Sequence, residues 1–399
     1  MLAIAVYVIR SGRQFSSPEL WAEEVVLLNG IANKGVLTVL KPISGQFLPI
    51  STVPVAIGSV WLTYLPWLLS ASALLTFAAT SSLFAFGNST LFPPATQRWI
   101  PLGLALIPIG PEVIGVGLYN FWWVGLWPVA VLTWRIESRK RHALGMVVVG
   151  AAALTSLAAS LAAIVFIALG TGYRSRRMLL IGLAAIPGLL IQSVCAINGE
   201  RVSESNHPLS ASIADGLHMI GRFPWTRLQW FGQPKWPLVE PRRLTAMTGL
   251  ALCLLIGVAS FPVVKEKAQA LRGLLSFLIL YTGISIGARP GATLHPIVAG
   301  PRYFFLPWTV LILSLFALAF WSGFAVNVRF AAGLALFMGA MAWTVVFSRP
   351  VPSAPVNWRK SLQECATNPL PSSFLYAQED GFQPLWKYEF RSEWCRANT

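Results

Sequence analysis

Residues 139–177 read RKRHALGMVVVGAAALTSLAASLAAIVFIALGTGYRSRR, an apolar run from Ala143 to Leu169 held between two clusters of cations. Arg135, Arg139, Lys140 and Arg141 precede the run, and Arg174, Arg176 and Arg177 follow it. Short loops rich in Lys and Arg stay on the cytoplasmic side of a membrane. If both clusters lie on one side, the run must cross and return, as two short helices that break at Thr155 and Ser156. Each limb then spans about 20 Å, less than the roughly 30 Å of a hydrocarbon core. A single tilted helix is the rival reading, and it inverts everything downstream.

Working outward, the 399 residues are 55% hydrophobic and only 11% charged, where a soluble domain is about a quarter charged. That balance excludes a soluble enzyme, a disordered chain and a disulfide scaffold. The net charge of +15 gathers in short loops, the pattern of membrane orientation, and no nucleic-acid partner is expected. Further apolar runs occur at 63–86, 99–109, 118–134, 178–197, 244–264, 271–287, 303–321 and 330–347. They are helices, because a chain in lipid must satisfy its own backbone, and they lack the alternation of barrel strands. The expectation is an all-α polytopic membrane protein of about ten or eleven transmembrane helices. The first is truncated, since Met1 to Ile9 is too short to span, unless the start codon is misplaced.

A third basic cluster, Lys265, Lys267 and Arg272, should share the cytoplasmic face with the first two. Residues 1–348 then form one transmembrane domain with outer loops at 11–50, 198–243 and 289–302, and residues 349–399 form a polar extracytoplasmic tail. Pro350, Pro352 and Pro355 open that tail, and Trp386, Tyr388, Phe390 and Trp394 give it an aromatic close, so a small ordered cap is expected. Outside the cytoplasm Cys365 and Cys395 can close the cap as a disulfide. Cys195 and Cys253 lie in apolar runs as core thiols.

Three places can carry chemistry. Trp21-Ala22-Glu23-Glu24 sets two carboxylates beside an amphipathic stretch near the bilayer surface, where one can take a proton from an attacking hydroxyl. The blander reading of the same residues is an ordinary solvated helix start after Ser17-Pro18-Glu19. Glu112, in Gly110-Pro111-Glu112-Val113, is costly if it lies at membrane depth and unremarkable if its turn is wet. Arg302, at a helix start beside Tyr303, suits a phosphate or serves as a boundary anchor. His207, His218 and His295 fall in the outer loops and His142 in an inner one, with no zinc spacing. Trp225, Trp230 and Trp236 fit a sugar-stacking surface or an interfacial belt.

Taken in order, Trp21-Ala22-Glu23-Glu24, Gly35, Pro42-Ile43-Ser44-Gly45, Gly110-Pro111-Glu112-Val113, Asn120 to Trp123, and Gly300-Pro301-Arg302-Tyr303-Phe304 to Pro307 resemble bacterial multi-spanning glycosyltransferases of the GT-C type. The serotype-modifying glucosyltransferases belong there. The resemblance runs from about Glu19 to Pro307. It departs where the usual Glu-Asp-Gly reads Glu23-Glu24-Val25, and where Gln46 shifts the expected aromatic to Phe47.

The resemblance implies transfer of a hexose from a polyprenyl-phosphate-linked sugar to a glycan or lipid acceptor, at the outer side of a bacterial inner membrane. Glu23 and Glu24 would occupy the acidic pair, Glu112 the second glutamate, and Arg302 with Tyr303 the site near the donor phosphate. No nucleotide or bound cofactor is implied. Some GT-C enzymes use a divalent cation, for which Glu23 and Glu24 are the candidate ligands. Two other classes remain open. A lipid-linked sugar flippase or transporter needs polar groups along a path through the bundle. An O-antigen polymerase or ligase would rely on loop arginines such as Arg222, Arg227, Arg242 and Arg243.

Overall fold

The computed structural model describes residues 1–16, 20, 22–85, 88–107, 113–198, 209–225, 242–261, 264–288, 302–321, 323–341, 358–368, 372–377 and 386–398. Apolar stretches wind into α1 (Leu2–Arg10), α2 (Gly12–Ser16), α3 (Ala22–Lys34), α4 (Pro49–Gly58), α5 (Leu65–Ala85), α6 (Pro94–Gln97), α7 (Ile100–Ala105), α8 (Asn120–Val124) and α9 (Trp127–Thr133). The chain continues through α10 (Arg139–Thr155), α11 (Leu157–Ser160), α12 (Ala162–Gly172), α13 (Arg176–Asn198), α14 (Leu209–Trp225), α15 (Arg242–Ala259), α16 (Lys265–Ala288), α17 (Arg302–Phe320) and α18 (Val326–Met341). Proline starts several of them within the first two positions, as in α4, α6, α7 and α9, where a missing N–H costs nothing.

Among the described residues, five helices are long and apolar enough to cross a membrane alone: α5, α13, α15, α16 and α17. The other apolar helices among the described residues are shorter or broken, so five of the expected ten or eleven short or full spans reach that length. The runs at 99–109 and 118–134 show why. They contain Pro101 and Pro128 and resolve into α7, then a 3-10 turn (Gly117–Tyr119), α8 and α9.

The reversal expected at Thr155 and Ser156 is present. Ser156 has extended backbone (φ −150°, ψ 126°), ends α10, and caps α11 by accepting from the Ala159 N–H at 3.4 Å. The His142 ring meets the Arg177 carbonyl at 3.1 Å, while Gln192 Nε2 donates to the Leu154 carbonyl at 3.3 Å, so α10 and α13 run the same way. Gly170 lies against Leu179 and Gly182 against Ile167, so α12 runs opposite to α13. The chain therefore reverses between α10 and α12. At 17 residues α10 is about 26 Å long, and 157–172 about 24 Å, both still thinner than a usual span.

That reversal gathers the three basic clusters at one end. The Arg272 guanidinium stands 5.7 Å over the Tyr173 ring, Lys267 stands 3.4 Å over Trp321, and Arg135 and Lys267 line one cavity. The opposite end carries α3, the start of α5, the α10–α11 break and the tail. In the tail, α19 (Trp358–Thr367), β1 (Ser372–Ala377), β2 (Trp386–Arg391) and α20 (Ser392–Asn398) form the expected cap. The antiparallel β1–β2 pair is an exception to the all-α expectation. Cys365 and Cys395 form a disulfide with Cα atoms 6.0 Å apart. Trp358 Nε1 donates to the Leu62 carbonyl at 2.7 Å, and the Leu62 N–H to the Asn398 carbonyl at 2.9 Å, which seats the cap beside α5.

The expected outer loop 198–243 is corrected. It contains α14, which packs on α15 as a helix of the bundle. Asp215 pairs with Arg242, His218 with Thr245 Oγ1, and Trp225 Nε1 donates to Thr248 Oγ1 at 3.0 Å, so the two helices run parallel. Gly221 and Gly249 stand where the two backbones touch, and a Cβ on either would overlap the facing carbonyl of Thr245 or Leu217. Asp215, His218 and Arg222 are 6%, 4% and 7% exposed. His218 is thus a buried helix residue, not a loop histidine. His207, Trp230, Trp236, Arg227 and His295 lie outside the described residues.

Candidate active site

The site begins on α3. Glu24 is 2% exposed, and its Oε1 accepts the Leu118 N–H at 3.1 Å. Leu118 belongs to the 3-10 turn Gly117–Tyr119, whose Gly117 lies directly against the backbone of Leu69 on α5. Burial of a carboxylate without a donor would be costly, so this amide bond holds the carboxylate and the turn together.

The next residue carries the second half of the site. Tyr119 is 3% exposed, and its hydroxyl accepts a hydrogen bond from Arg302 Nη1. The Arg302 guanidinium also stands 5.3 Å from the Tyr119 ring centroid and 5.4 Å from that of Tyr303. Arg302 is the first residue of α17, where the helix dipole favours an anion. Ser285 Oγ on α16 donates to the Tyr303 carbonyl at 2.8 Å and fixes that helix start. Neighbouring residues of one turn therefore hold Glu24 on one side and Arg302 on the other.

Below them lies an aromatic floor. Trp123 packs edge-on against Phe305, Phe77 and Tyr7 with centroids 4.6, 5.1 and 5.9 Å away, and its Nε1 donates to the Val113 carbonyl at 3.2 Å. Tyr7 accepts the Gly115 N–H at 2.9 Å, which draws α1 into the same cluster. Asn120 donates from Nδ2 to Ser72 Oγ at 3.1 Å. Asn120 Oδ1 and Trp122 Nε1 are buried with no hydrogen-bond partner among the described residues. Such orphans are rare in folded proteins, and these two sit beside Tyr119.

A flanking loop is also fixed. Ser44 and Gly45 turn the chain with φ of 47° and 72°, a conformation glycine adopts without strain. Phe47 exchanges two backbone hydrogen bonds with the Gln192 amide, at 3.1 and 2.7 Å. The Pro42 to Phe47 segment is thereby tied to the C-terminal half of α13 and to the α10–α11 break.

Of the residues singled out from sequence, Glu24, Arg302 and Tyr303 converge through the 117–119 turn. Glu112 lies outside the described residues, and only the backbone of Glu23 is described. Tyr119, Asn120, Trp122 and the Leu118 amide went unassigned in the sequence reading; their signal was the density of polar and aromatic residues just after Glu112. No three His, Cys, Asp or Glu side chains gather as a metal site among the described residues. No known family, curated protein or solved structure matches this chain. The residues at the site therefore carry the functional argument alone.

Proposed function

We propose that this protein is a membrane glycosyltransferase of the GT-C type, which moves a hexose from a polyprenyl-phosphate donor to a cell-envelope glycan or lipid. The observation that carries the reading is the meeting of Glu24 and Arg302 on neighbouring residues of one turn, at the end of the bundle opposite the basic loops. A buried carboxylate and a guanidinium at a helix start are the two groups that a displacement at a phosphate-linked sugar requires. With the basic end in the cytoplasm, as the positive-inside rule has it, the site faces outward. The disulfide-closed cap then also lies outside, where disulfides persist.

In this reading the acceptor hydroxyl oxygen bonds to the anomeric carbon as the bond from that carbon to the phosphate oxygen breaks. Glu24 takes the hydroxyl proton, and the polyprenyl phosphate leaves with the electron pair. Arg302 neutralises the charge that develops on the phosphate, with Tyr119 and Tyr303 holding the guanidinium in place. Glu23 is the alternative base, and Glu112 positions hydroxyls of donor or acceptor. The transporter reading draws on one observation, the buried Asp215, His218 and Arg222, but the pairing of Asp215 and His218 with α15 accounts for two of these as helix packing.

The test supplies membranes containing the intact protein with a series of radiolabelled polyprenyl-phosphate hexoses and follows label into envelope material. Transfer that depends on the protein supports the reading. If the folded protein consumes none of several donors, the glycosyltransferase assignment is abandoned.

A further inference from the structure

The basic end of the bundle holds a cavity of about 400 Å3, lined by Ser89, Thr90, Arg135, Glu266, Lys267 and Trp321, with Leu91, Phe92, Pro93, Pro94 and Val264 as its apolar wall. That volume lies in the range of roughly 300–1,000 Å3 typical of small-ligand sites and far exceeds the space of a few waters. Its chemistry is not that of the site around Glu24, which sits at the other end. Two cations face it: Arg135, which follows α9, and Lys267, in the first turn of α16. Lys267 stands 3.4 Å over the face of Trp321, an arrangement that fixes both the ammonium and the indole.

The walls are built, not draped. The Arg135 N–H donates to the Asn88 carbonyl at 2.6 Å and the Thr90 N–H to the Thr133 carbonyl at 2.8 Å, which pins the 88–94 loop along the end of α9. Ser89 Oγ accepts the N–H groups of Leu91 and Phe92, both at 3.1 Å, and fixes the turn that presents Thr90. Arg135 also pairs with Glu137 at 3.3 Å, but both side chains are more than half exposed, so this ion pair is weak and exchanges readily with a better anion.

We infer that this cavity binds the phosphodiester headgroup of an anionic lipid, with Arg135 and Lys267 on the phosphate and Glu266, Ser89 and Thr90 on the hydroxyls of a glycerol headgroup. The ligand chemistry follows from two cations beside neutral hydroxyls and one carboxylate: the cations take an anion, and the carboxylate needs a donor such as a polyol hydroxyl. A lipid, not a soluble phosphate, follows from position. The cavity opens where α5, α9 and α17 end and α16 begins, at the cation-rich end of the membrane-length helices, and half its lining is apolar. Basic pockets between membrane helices on the cation-rich side are the form such sites take.

The experiment measures lipid carry-over and thermal stabilisation of the full-length protein in detergent. Phosphatidylglycerol, phosphatidylcholine, sn-glycerol 3-phosphate and inorganic phosphate are offered separately, to wild type, Lys267→Gln, Arg135→Gln and the double variant. Phosphatidylglycerol should bind in preference to phosphatidylcholine, with affinity falling about fivefold for each cation removed. Lys267→Arg should restore binding, and Arg139→Gln, which changes a cation of the same end outside the cavity, should leave it unchanged. Equal retention of phosphatidylglycerol by wild type and the double variant overturns the assignment. So does an equal effect from phosphatidylcholine, or from inorganic phosphate alone, the latter marking a site for a soluble anion.

Discussion

Replacement of Glu24 by Gln separates chemistry from structure at one position. The side chain is 2% exposed and its Oε1 accepts the Leu118 N–H at 3.1 Å. Glutamine keeps the volume and a carbonyl oxygen that accepts the same N–H, so the 117–119 turn stays in place. A hydrogen bond to a charged acceptor exceeds a neutral one by about 1 kcal/mol, which sets the expected loss of stability. The loss of function should be far larger, because a general base contributes about 10²–10⁴ in rate, or about 3–5 kcal/mol of barrier. Glu24→Ala is the contrast: it orphans the buried Leu118 amide at a cost of about 1–3 kcal/mol, so activity and folding fall together. The assay is the initial rate of hexose transfer from a labelled polyprenyl-phosphate donor in membranes at matched expression, with thermal unfolding of the purified protein alongside. A Glu24→Gln protein that transfers within about threefold of wild type, well short of a base's contribution, would show that the carboxylate only staples the turn.

Three further outcomes follow from the same geometry. Tyr119→Phe removes the acceptor of the Arg302 hydrogen bond but keeps the ring beneath the guanidinium, so donor KM should rise about tenfold or more, and Arg302→Lys, which loses the forked donor set, should do at least as much in steady-state kinetics. Cys395→Ser opens a loop of sequence separation 30, worth about 3–4 kcal/mol in the chain-entropy view, and limited proteolysis should then cleave the 358–398 cap while the helices survive. Single cysteines at Lys140 and Arg176, in a background without Cys195 and Cys253, should react with an impermeant thiol reagent from the same side of sealed vesicles, and one at Gln363 from the other; opposite-side labelling of the first two would refute the reversal at Ser156.

Much of this architecture is legible without coordinates, and for identifiable reasons. The cation clusters around Ala143 to Leu169 call for a return if they share one side, and the pair Thr155-Ser156 is where polar side chains can end one helix and cap the next. Arg135, Lys267 and Arg272 were assigned to one end because charge near a bilayer is constrained by composition and spacing alone. The Cys365–Cys395 pairing is open to two thiols in one short polar tail outside the cytoplasm, and the structure makes it. By contrast, α14 stayed hidden in a supposed loop. Its apolar face of Met219, Ile220 and Phe223 is diluted by Asp215, His218 and Arg222, and whether those charges are solvated or buried depends on whether Arg242 and Thr245 lie opposite.

The site divides in the same way. Glu24 and Arg302 are each conspicuous as residue types, a carboxylate beside a membrane helix and a guanidinium at a helix start. Their relation is not a property of either segment. It exists because the turn Gly117–Tyr119 offers an amide to one and a phenol to the other. Local composition therefore determined that this chain enters a membrane, which end carries its cations and where it doubles back, since hydropathy and charge act residue by residue. Which polar groups complete one another across the bundle was decided only by the packing of helices far apart in the chain, because a hydrogen bond requires its partner at about 3 Å, and no spacing along the sequence encodes that distance.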